Sequence, residues 1–326
     1  DAVFTEQWSS AAQRYYRSSR PADNYDYEDR RLVGKLTADL SPETHLDVHV
    51  RYSDGTLGYG QTDVRPLYPT LGDSTMDVES ALLGAVLTSV LSDDVDFKGR
   101  AYYREQERAL HGLNVSHVQS GIPVFVPSES ETGVRDWMGD GAFDIRAFEG
   151  HAITIGADFQ RTDADFSSLR NAATQQRLPV SSGREVHSVN AGLYLQDRIA
   201  LQERATALCG LRVDEHDAYG SAVSPKAGVV VQVQDSMRVH ASAGRAYRAP
   251  SLIELYQPSI FFGSVTFESN SELKPEYIST VDGGVECMVT ESLMVRADLF
   301  YNDMEDLITK QISGSTLRYA NTDEAW

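Results

Sequence analysis

The fold is decided by residues 31–52, which read RLVGKLTADLSPETHLDVHVRY. On both sides of the polar turn at 41–44, apolar or small side chains alternate with charged and polar ones. The apolar and small set is Leu32, Gly34, Leu36, Ala38 and Leu40 before the turn, and Leu46, Val48, Val50 and Tyr52 after it. Successive side chains of a β-strand point to opposite faces of its sheet. The stretch is therefore predicted to be a β-hairpin with one apolar and one polar face.

The same unit recurs along the rest of the chain. Further strand pairs are predicted at 78–91 with 96–108, 134–147 with 151–165, 186–200 with 205–216, 223–233 with 237–247, and 277–289 with 293–303. Strand-like stretches also lie near 12–18 and 315–321. The chain is thus predicted to be all-β, an antiparallel meander of about fourteen strands.

The connections between these strands alternate in length. Tight polar turns join the partners within each pair, whereas most links between pairs are long: 53–76, 109–132, 166–184, 248–276 and 304–314. Outer-membrane barrels have short periplasmic turns and long extracellular loops. Many predicted strands also have the ten or so residues that a tilted membrane-spanning strand needs. The pattern favours a transmembrane β-barrel, apolar toward lipid and polar toward the lumen, with a soluble β-sandwich as the alternative.

Composition excludes several other classes of protein. The chain is 41% hydrophobic, and it has no run of ~18–20 apolar residues that could form a membrane-spanning helix. A net charge of −19 argues against a nucleic-acid partner, because like charges repel the phosphate backbone. The two cysteines, Cys209 and Cys287, are too few for a disulfide scaffold or a four-cysteine zinc site, and they leave one disulfide open.

Motifs for catalysis and for metal binding are also missing from the sequence. It has no nucleophile elbow, P-loop, dinucleotide-binding glycine motif or zinc-protease motif, so neither catalytic residues nor a cofactor is expected. His45 and His49 share one strand face, but four residues of strand separate them by ~13 Å, too far for one metal ion. No metal site is predicted.

The second half of the chain carries a series of recognisable motifs. They are YLQD at 194–197, GLRVD at 210–214, SPKAG at 224–228, GRAYRAPSLIELY at 244–256, NSELKPE at 270–276 and FYNDMEDLI at 300–308. In this order and with these gaps, they resemble the barrel of TonB-dependent receptors over about residues 190–322. Residues 1–185 fit by their pattern alone. The chain departs from the family at Ser269 and Ser271, where Gly and Pro are usual, and at Asp282, where Glu is usual.

The resemblance implies a ligand-gated importer in the bacterial outer membrane. The family barrel has 22 strands around a plugged lumen, so residues 1–326 are expected to be a partial barrel without the plug domain and the C-terminal strands. The implied ligand is a small nutrient such as a ferric siderophore, haem or cobalamin. The implied partners are outer-membrane lipid and the TonB energy-coupling complex, which acts through the plug. A passive porin-like channel, an adhesin barrel and a soluble β-rich binding protein are the alternatives.

Two sets of residues are singled out as candidate sites. The first matches the family motifs and is expected to be structural, with Arg248 pairing with Glu254 and Pro250 ending a strand. This set is Tyr194, Gln196, Asp197, Arg212, Pro225, Arg248, Pro250, Glu254, Tyr256, Asn270, Leu273, Pro275 and Glu276. The second set lies in the predicted long loops, where aromatic and basic side chains would suit an anionic, ring-bearing ligand such as an iron chelate. It comprises Tyr59, Arg65, Tyr68, His111, Arg170, Arg177, Phe261 and Phe262.

Overall fold

The computed structural model describes residues 6–9, 14–17, 27–59, 74–119, 122–178, 183–262 and 265–323. Nearly all of these residues are in strands. The elements are β1 (Glu6–Ser9), β2 (Arg14–Arg17), β3 (Tyr27–Ser41), β4 (Thr44–Tyr59), β5 (Ser74–Ser92), β6 (Val95–Gln119), β7 (Ile122–Ile145), β8 (His151–Phe166), β9 (Arg170–Asn171), β10 (Arg184–Gln202), β11 (Ala205–His216), β12 (Gly220–Gln234), β13 (Met237–Arg248), α1 (Leu252–Tyr256), β14 (Ile260–Phe262), β15 (Val265–Glu268), β16 (Glu276–Thr290), β17 (Leu293–Glu305), β18 (Leu307–Ser313) and β19 (Thr316–Thr322). Within the described ranges, no helix is long and apolar enough to cross a bilayer.

The long strands form one continuous sheet that follows chain order. From one edge to the other it runs β3-β4-β5-β6-β7-β8-β10-β11-β12-β13-β16-β17, and β9 pairs with β7 beside it. Neighbours in this sheet are antiparallel. The predicted all-β antiparallel meander is confirmed. One contact departs from it, because β15 and β19 pair in parallel within a small second sheet, β14-β15-β19-β18.

The register separates the two faces of the long sheet. One row of directly paired positions is apolar or small across nine strands: Ala38, Leu46, Leu87, Gly99, Gly141, Ala157, Leu193, Val213 and Val223. The next row, offset by one residue in each strand, points the other way and is mostly polar: Thr37, Asp47, Val86, Arg100, Asp140, Asp158, Gly192, Asp214 and Ala222. We call these sides the apolar face and the polar face.

The apolar face of the sheet is uncovered. Leu193 is 67% exposed and Leu299 is 83% exposed. The buried hydrophobic residues of the described part are few and lie mostly toward the loops: Ala164, Phe166, Leu169, Leu178, Ala222, Leu255 and Leu273. A soluble β-sandwich packs its apolar faces together, and a sheet that meets lipid leaves them outward. This arrangement disfavours the soluble alternative.

Two of the predicted long links are wrong. Residues 109–132 are mostly strand, because β6 and β7 continue past the apolar rows and come within a two-residue gap of each other. Residues 304–314 likewise contain the whole of β18. In both places the period-two alternation of apolar side chains is interrupted, by His111 on the apolar side of β6 and by the adjacent Leu307 and Ile308 in β18. Backbone pairing continues without it. The link at 248–276 is confirmed as irregular but contains α1, β14 and β15.

Candidate functional site

The polar face carries ion pairs between side chains of four strands, β6, β7, β8 and β11. Arg100 Nε lies 2.8 Å from Asp140 Oδ1. Further along the same face, Arg212 Nη2 lies 2.6 Å from Asp158 Oδ1 and also binds Asp214. The Asp214 side chain is fully buried. Burying a carboxylate without a cationic partner costs free energy, and Arg212 is the cation that stabilises the buried Asp214.

Glycines make room for these large side chains. A Cβ added to Gly192 would lie 2.3 Å from Arg212 Nη2, and one added to Gly156 would lie 2.3 Å from Cζ of Tyr194. Contacts this short do not occur between real atoms, so both positions need the absence of a side chain. Arg212 in turn lies over the Tyr194 ring, 5.9 Å from its centroid. The structure therefore brings together two of the motif residues, Tyr194 and Arg212.

A shallow depression of about 650 Å³ lies beside this group on the polar face. Small residues such as Gly244 form its floor, and larger side chains stand around it, including Gln196 and Lys226. Pro225 lies at the same place, where the described ladder between β12 and β13 ends at the pair Lys226 and Gly244. Proline has no N–H to donate to a ladder. Pro225 thus marks the end of the β12–β13 ladder, and beyond Gly244 the strand β13 pairs with β16 alone.

We call the end of the sheet where β13 stops at Arg248 and the link 248–276 begins the loop end, and the opposite end the turn end. A chain of aromatic rings crosses the loop end. His216 stacks on Tyr219 with ring centroids 4.0 Å apart, and Tyr219 meets Tyr247 edge-on at 6.1 Å. Tyr247 lies 6.4 Å from Tyr277, over which Arg245 is placed at 4.3 Å. The sequence alone does not reveal this chain of rings, because its members come from three segments, 216–219, 247 and 277, that only the strand register brings together.

Arg248 joins three segments at the same end. It ends β13, and its Nη1 lies 3.2 Å from Glu254 Oε2 in α1. Its Nε binds Glu276, the first residue of β16. Glu276 in turn accepts a 2.6 Å hydrogen bond from the backbone N–H of Ile308 in β18. The expected pairing of Arg248 with Glu254 is present, and Glu276 and Ile308 extend it. We call Arg248, Glu254 and Glu276 the clasp.

Glu254 is also held by the start of its own helix. Ser251 donates to Glu254 Oε2 from its backbone N–H at 2.7 Å and from its hydroxyl at 2.9 Å. The Ser251 hydroxyl oxygen also accepts from the backbone N–H of Glu254 at 3.3 Å, which completes a capping box. Burial acts to raise the pKa of Glu254, but the hydrogen bonds from Ser251 and the charge of Arg248 outweigh it. The pKa of Glu254 therefore lies below its ordinary value, and the clasp carries its full charge at neutral pH.

Two asparagines join the loop segments that follow. Asn270 Nδ2 donates to the carbonyl of Tyr319 at 3.0 Å, and its Oδ1 accepts from Arg318 at 3.0 Å. Asn321 exchanges two hydrogen bonds with the backbone of Lys274, at 2.9 and 3.0 Å. We call this set of bonds the seam. It links residues 270–274 to β19.

The other motif residues occupy ordinary structural positions. Pro250 lies two residues after Arg248, the last residue of β13. Leu273 and Pro275 are buried, and the ring of Tyr256 lies under Arg184 at 4.8 Å. Asp197 lies in the ladder opposite Ile153 in β8, within hydrogen-bond reach (2.7 Å) of His151 Nδ1.

The loop candidates do not gather into one described site. His111 is a strand residue of β6, contrary to its predicted loop position, and lies 3.3 Å from Asp77. Tyr59 ends β4, and Phe261 and Phe262 belong to β14. Arg170 and Arg177 are brought together by a β-bridge. Arg65 and Tyr68 lie outside the described residues.

In the part of the chain that the structure describes, no three or more His, Cys, Asp or Glu side chains are placed to bind one metal ion. Cys209 in β11 and Cys287 in β16 are free thiols, so the disulfide that the sequence left open is not formed.

The family follows from comparison with known proteins. A family model described as the TonB dependent receptor-like β-barrel matches residues 4–326. The chain belongs to the TonB-dependent receptor family. A curated relative, the ferric enterobactin receptor of Pseudomonas aeruginosa, is 21% identical over 316 residues, which cover 90% of this chain and 42% of the relative. The chain therefore spans less than half of that receptor's length.

Solved structures share the fold of this receptor barrel. The outer membrane transporter YddB of Escherichia coli superposes with a TM-score of 0.68 at 15% identity, over 94% of this chain and 44% of that one. The copper transporter OprC gives a TM-score of 0.68 at 16% identity, over 98% of this chain and 51% of that one. These relatives and structural neighbours are named as receptors and transporters.

Proposed function

We propose that this chain is the barrel portion of a longer outer-membrane receptor that imports a small metal chelate with energy from TonB. The observation that carries the proposal is the division of the sheet into an uncovered apolar face and a polar face bearing the Arg212 ion pairs. A wall of this kind meets lipid on one side and a wet lumen on the other. Family membership supplies the class of transporter.

The loop end is the proposed place of ligand recognition. Exposed loops on a rigid scaffold are where binding residues concentrate. The aromatic chain ending at Tyr277 and Arg245 lies there, and so do Arg170 and Arg177. Rings with cationic side chains suit an anionic, ring-bearing chelate. Metal cargo also fits the relatives, which are named for ferric enterobactin and for copper.

A passive channel is the rival function, and dependence on TonB separates the two. The full-length gene is expressed in a host that lacks its own siderophore receptors and is grown under iron limitation. Uptake of radiolabelled iron is measured with a panel of chelates, ferric enterobactin included, in strains with and without TonB. We expect at least one chelate to be taken up only when TonB is present. Equal uptake in the two strains, or uptake of no chelate in either, would refute the proposed function.

A further inference from the structure

We propose that α1, residues 265–275 and β18–β19 form one rigid platform at the loop end, and that Arg248 is the positioning residue that fixes this platform to the wall. In this account Arg248 does not touch the ligand and acts on recognition by placing the loops. The role in recognition rests on the proposed function. The rigidity of the platform does not.

The clasp is the first line of support. Arg248 is the last residue of β13, a strand of the wall, and it holds two carboxylates at once. One of them, Glu254, belongs to the loop helix, and the other, Glu276, lies where the chain re-enters the wall. Because Glu276 also accepts from the N–H of Ile308, the same group reaches β18. The guanidinium of Arg248 thus contacts the loop helix through Glu254 and is connected to β18 through Glu276.

The seam is the second line of support, and it is independent of Arg248. The side chain of Asn270 binds the backbone of Tyr319 in β19, and the side chain of Asn321 in β19 binds the backbone of Lys274. The parallel ladder between β15 and β19 adds three paired positions. Asn270 also donates its backbone N–H to the Glu254 carbonyl at 2.8 Å, which ties the helix to the seam. Two segments joined this way cannot move separately without breaking several hydrogen bonds.

Burial and surface chemistry complete the argument. Leu255 is 2% exposed and Leu273 is 5% exposed, so the platform has apolar anchors beneath it. Above them, Lys310 is exposed and lies over the rings of Phe267 and Tyr319, at 5.0 and 5.4 Å. The platform therefore offers a cation and two rings at its surface, while the clasp that positions it lies at its base.

Hydrogen–deuterium exchange on the full-length receptor in micelles tests the platform without any ligand. In Arg248→Ala we expect backbone exchange to rise together in peptides covering 265–275 and 307–322. Arg238→Ala is the matched control. Arg238 lies in the same strand and pairs with Glu286 of β16 at 2.9 Å, but at the turn end. It should change neither peptide. If residues 307–322 stay protected in Arg248→Ala, or lose protection equally in Arg238→Ala, the proposal is overturned.

Two further variants protect the test against misfolding. Folding is checked by the shift in migration between unheated and heated samples of the barrel on denaturing gels. Should Arg248→Ala fail that check, Glu276→Gln replaces it, because it keeps the shape of the clasp and removes one charge. Arg248→Lys should recover part of the protection, since an ammonium can pair with a carboxylate but lacks the planar fork that spans two. If Arg248→Lys recovers no protection from exchange and Glu276→Gln loses it fully, the platform is still supported. If Arg248→Lys and Glu276→Gln both keep full protection, the platform is contradicted.

Uptake kinetics test the role in recognition, with ferric enterobactin as the probe. Arg248→Ala should raise the half-saturating concentration about tenfold, equal to ~1.4 kcal/mol, and leave the maximal rate near that of wild type. A loss of maximal rate alone would contradict a positioning role. If wild type does not transport this probe, the chelate that the uptake panel identifies takes its place, and the exchange result decides separately whether the platform exists.

Discussion

Arg212→Ala is expected to lower the free energy of unfolding of the full-length receptor by about 3 kcal/mol, at the lower end of the cost of breaking a buried ion pair. The substitution leaves the carboxylate of Asp214 fully buried without a cation, with hydrogen bonds only from Asn190, 3.5 Å away, and from the Tyr247 hydroxyl. Asp158 is partly exposed, so water can hydrate its carboxylate after the contact with Arg212 is lost. Equilibrium unfolding by urea from detergent micelles measures the change.

Arg100→Ala is the matched control for this prediction. Arg100 pairs with Asp140 in the same row of the polar face, but both side chains are partly exposed. Exposed pairs contribute about 0–1 kcal/mol, so the loss should be much smaller. If the two variants lose the same amount, burial of Asp214 is not what makes the Arg212 pair important. Arg212→Lys should fall between them, because a lysine cannot reproduce the forked contact to two carboxylates.

Gly156→Ala is expected to cost about 2 kcal/mol, since it forces a side chain into space that is already filled. The added methyl group would overlap the ring of Tyr194, and the nearby pair with Arg212 would shift with it. Gly133→Ala in β7 is the control, because nothing lies within 4 Å of its added Cβ. That variant should be close to neutral.

Removing the ring should rescue the first variant. Tyr194→Ala opens the space that Gly156→Ala needs, so the double variant should be more stable than the sum of the two losses predicts, by more than ~1 kcal/mol. Simple additivity would mean that the glycine is required by the backbone and not by the tyrosine.

The sequence was sufficient for the hairpins and insufficient for what connects them. Leu193 and Leu195 alternate with Tyr194 and Gln196. This alternation alone predicts the strand β10 and which of its faces is apolar. The same alternation is interrupted in β6, where His111 falls on the apolar side and Leu110 on the polar side, and there the strand continues on backbone pairing. Strand extension outside the apolar rows therefore could not be predicted from side-chain pattern.

The candidate site was predicted only in part, for a related reason. Arg248 and Glu254 are six residues apart, and their pairing could be inferred locally. Glu276 joins them because the register between β13 and β16 sets it opposite Arg248. Register across a long loop is a property of the folded sheet. The same holds for Asn270 and Asn321, whose spacing in sequence gives no sign that they lie in one seam.

The most direct test of the account is the accessibility of single nitroxide labels on β10 of the full-length receptor in a lipid bilayer. The free thiols Cys209 and Cys287 are first replaced by serine. Labels are then placed in turn at Leu193, Leu195, Gln196 and Arg198. The account predicts that labels at Leu193 and Leu195 collide with oxygen dissolved in lipid, and that labels at Gln196 and Arg198 collide with a water-soluble nickel chelate. Uniform accessibility at all four positions, or the opposite alternation, would contradict a wall that separates lipid from lumen.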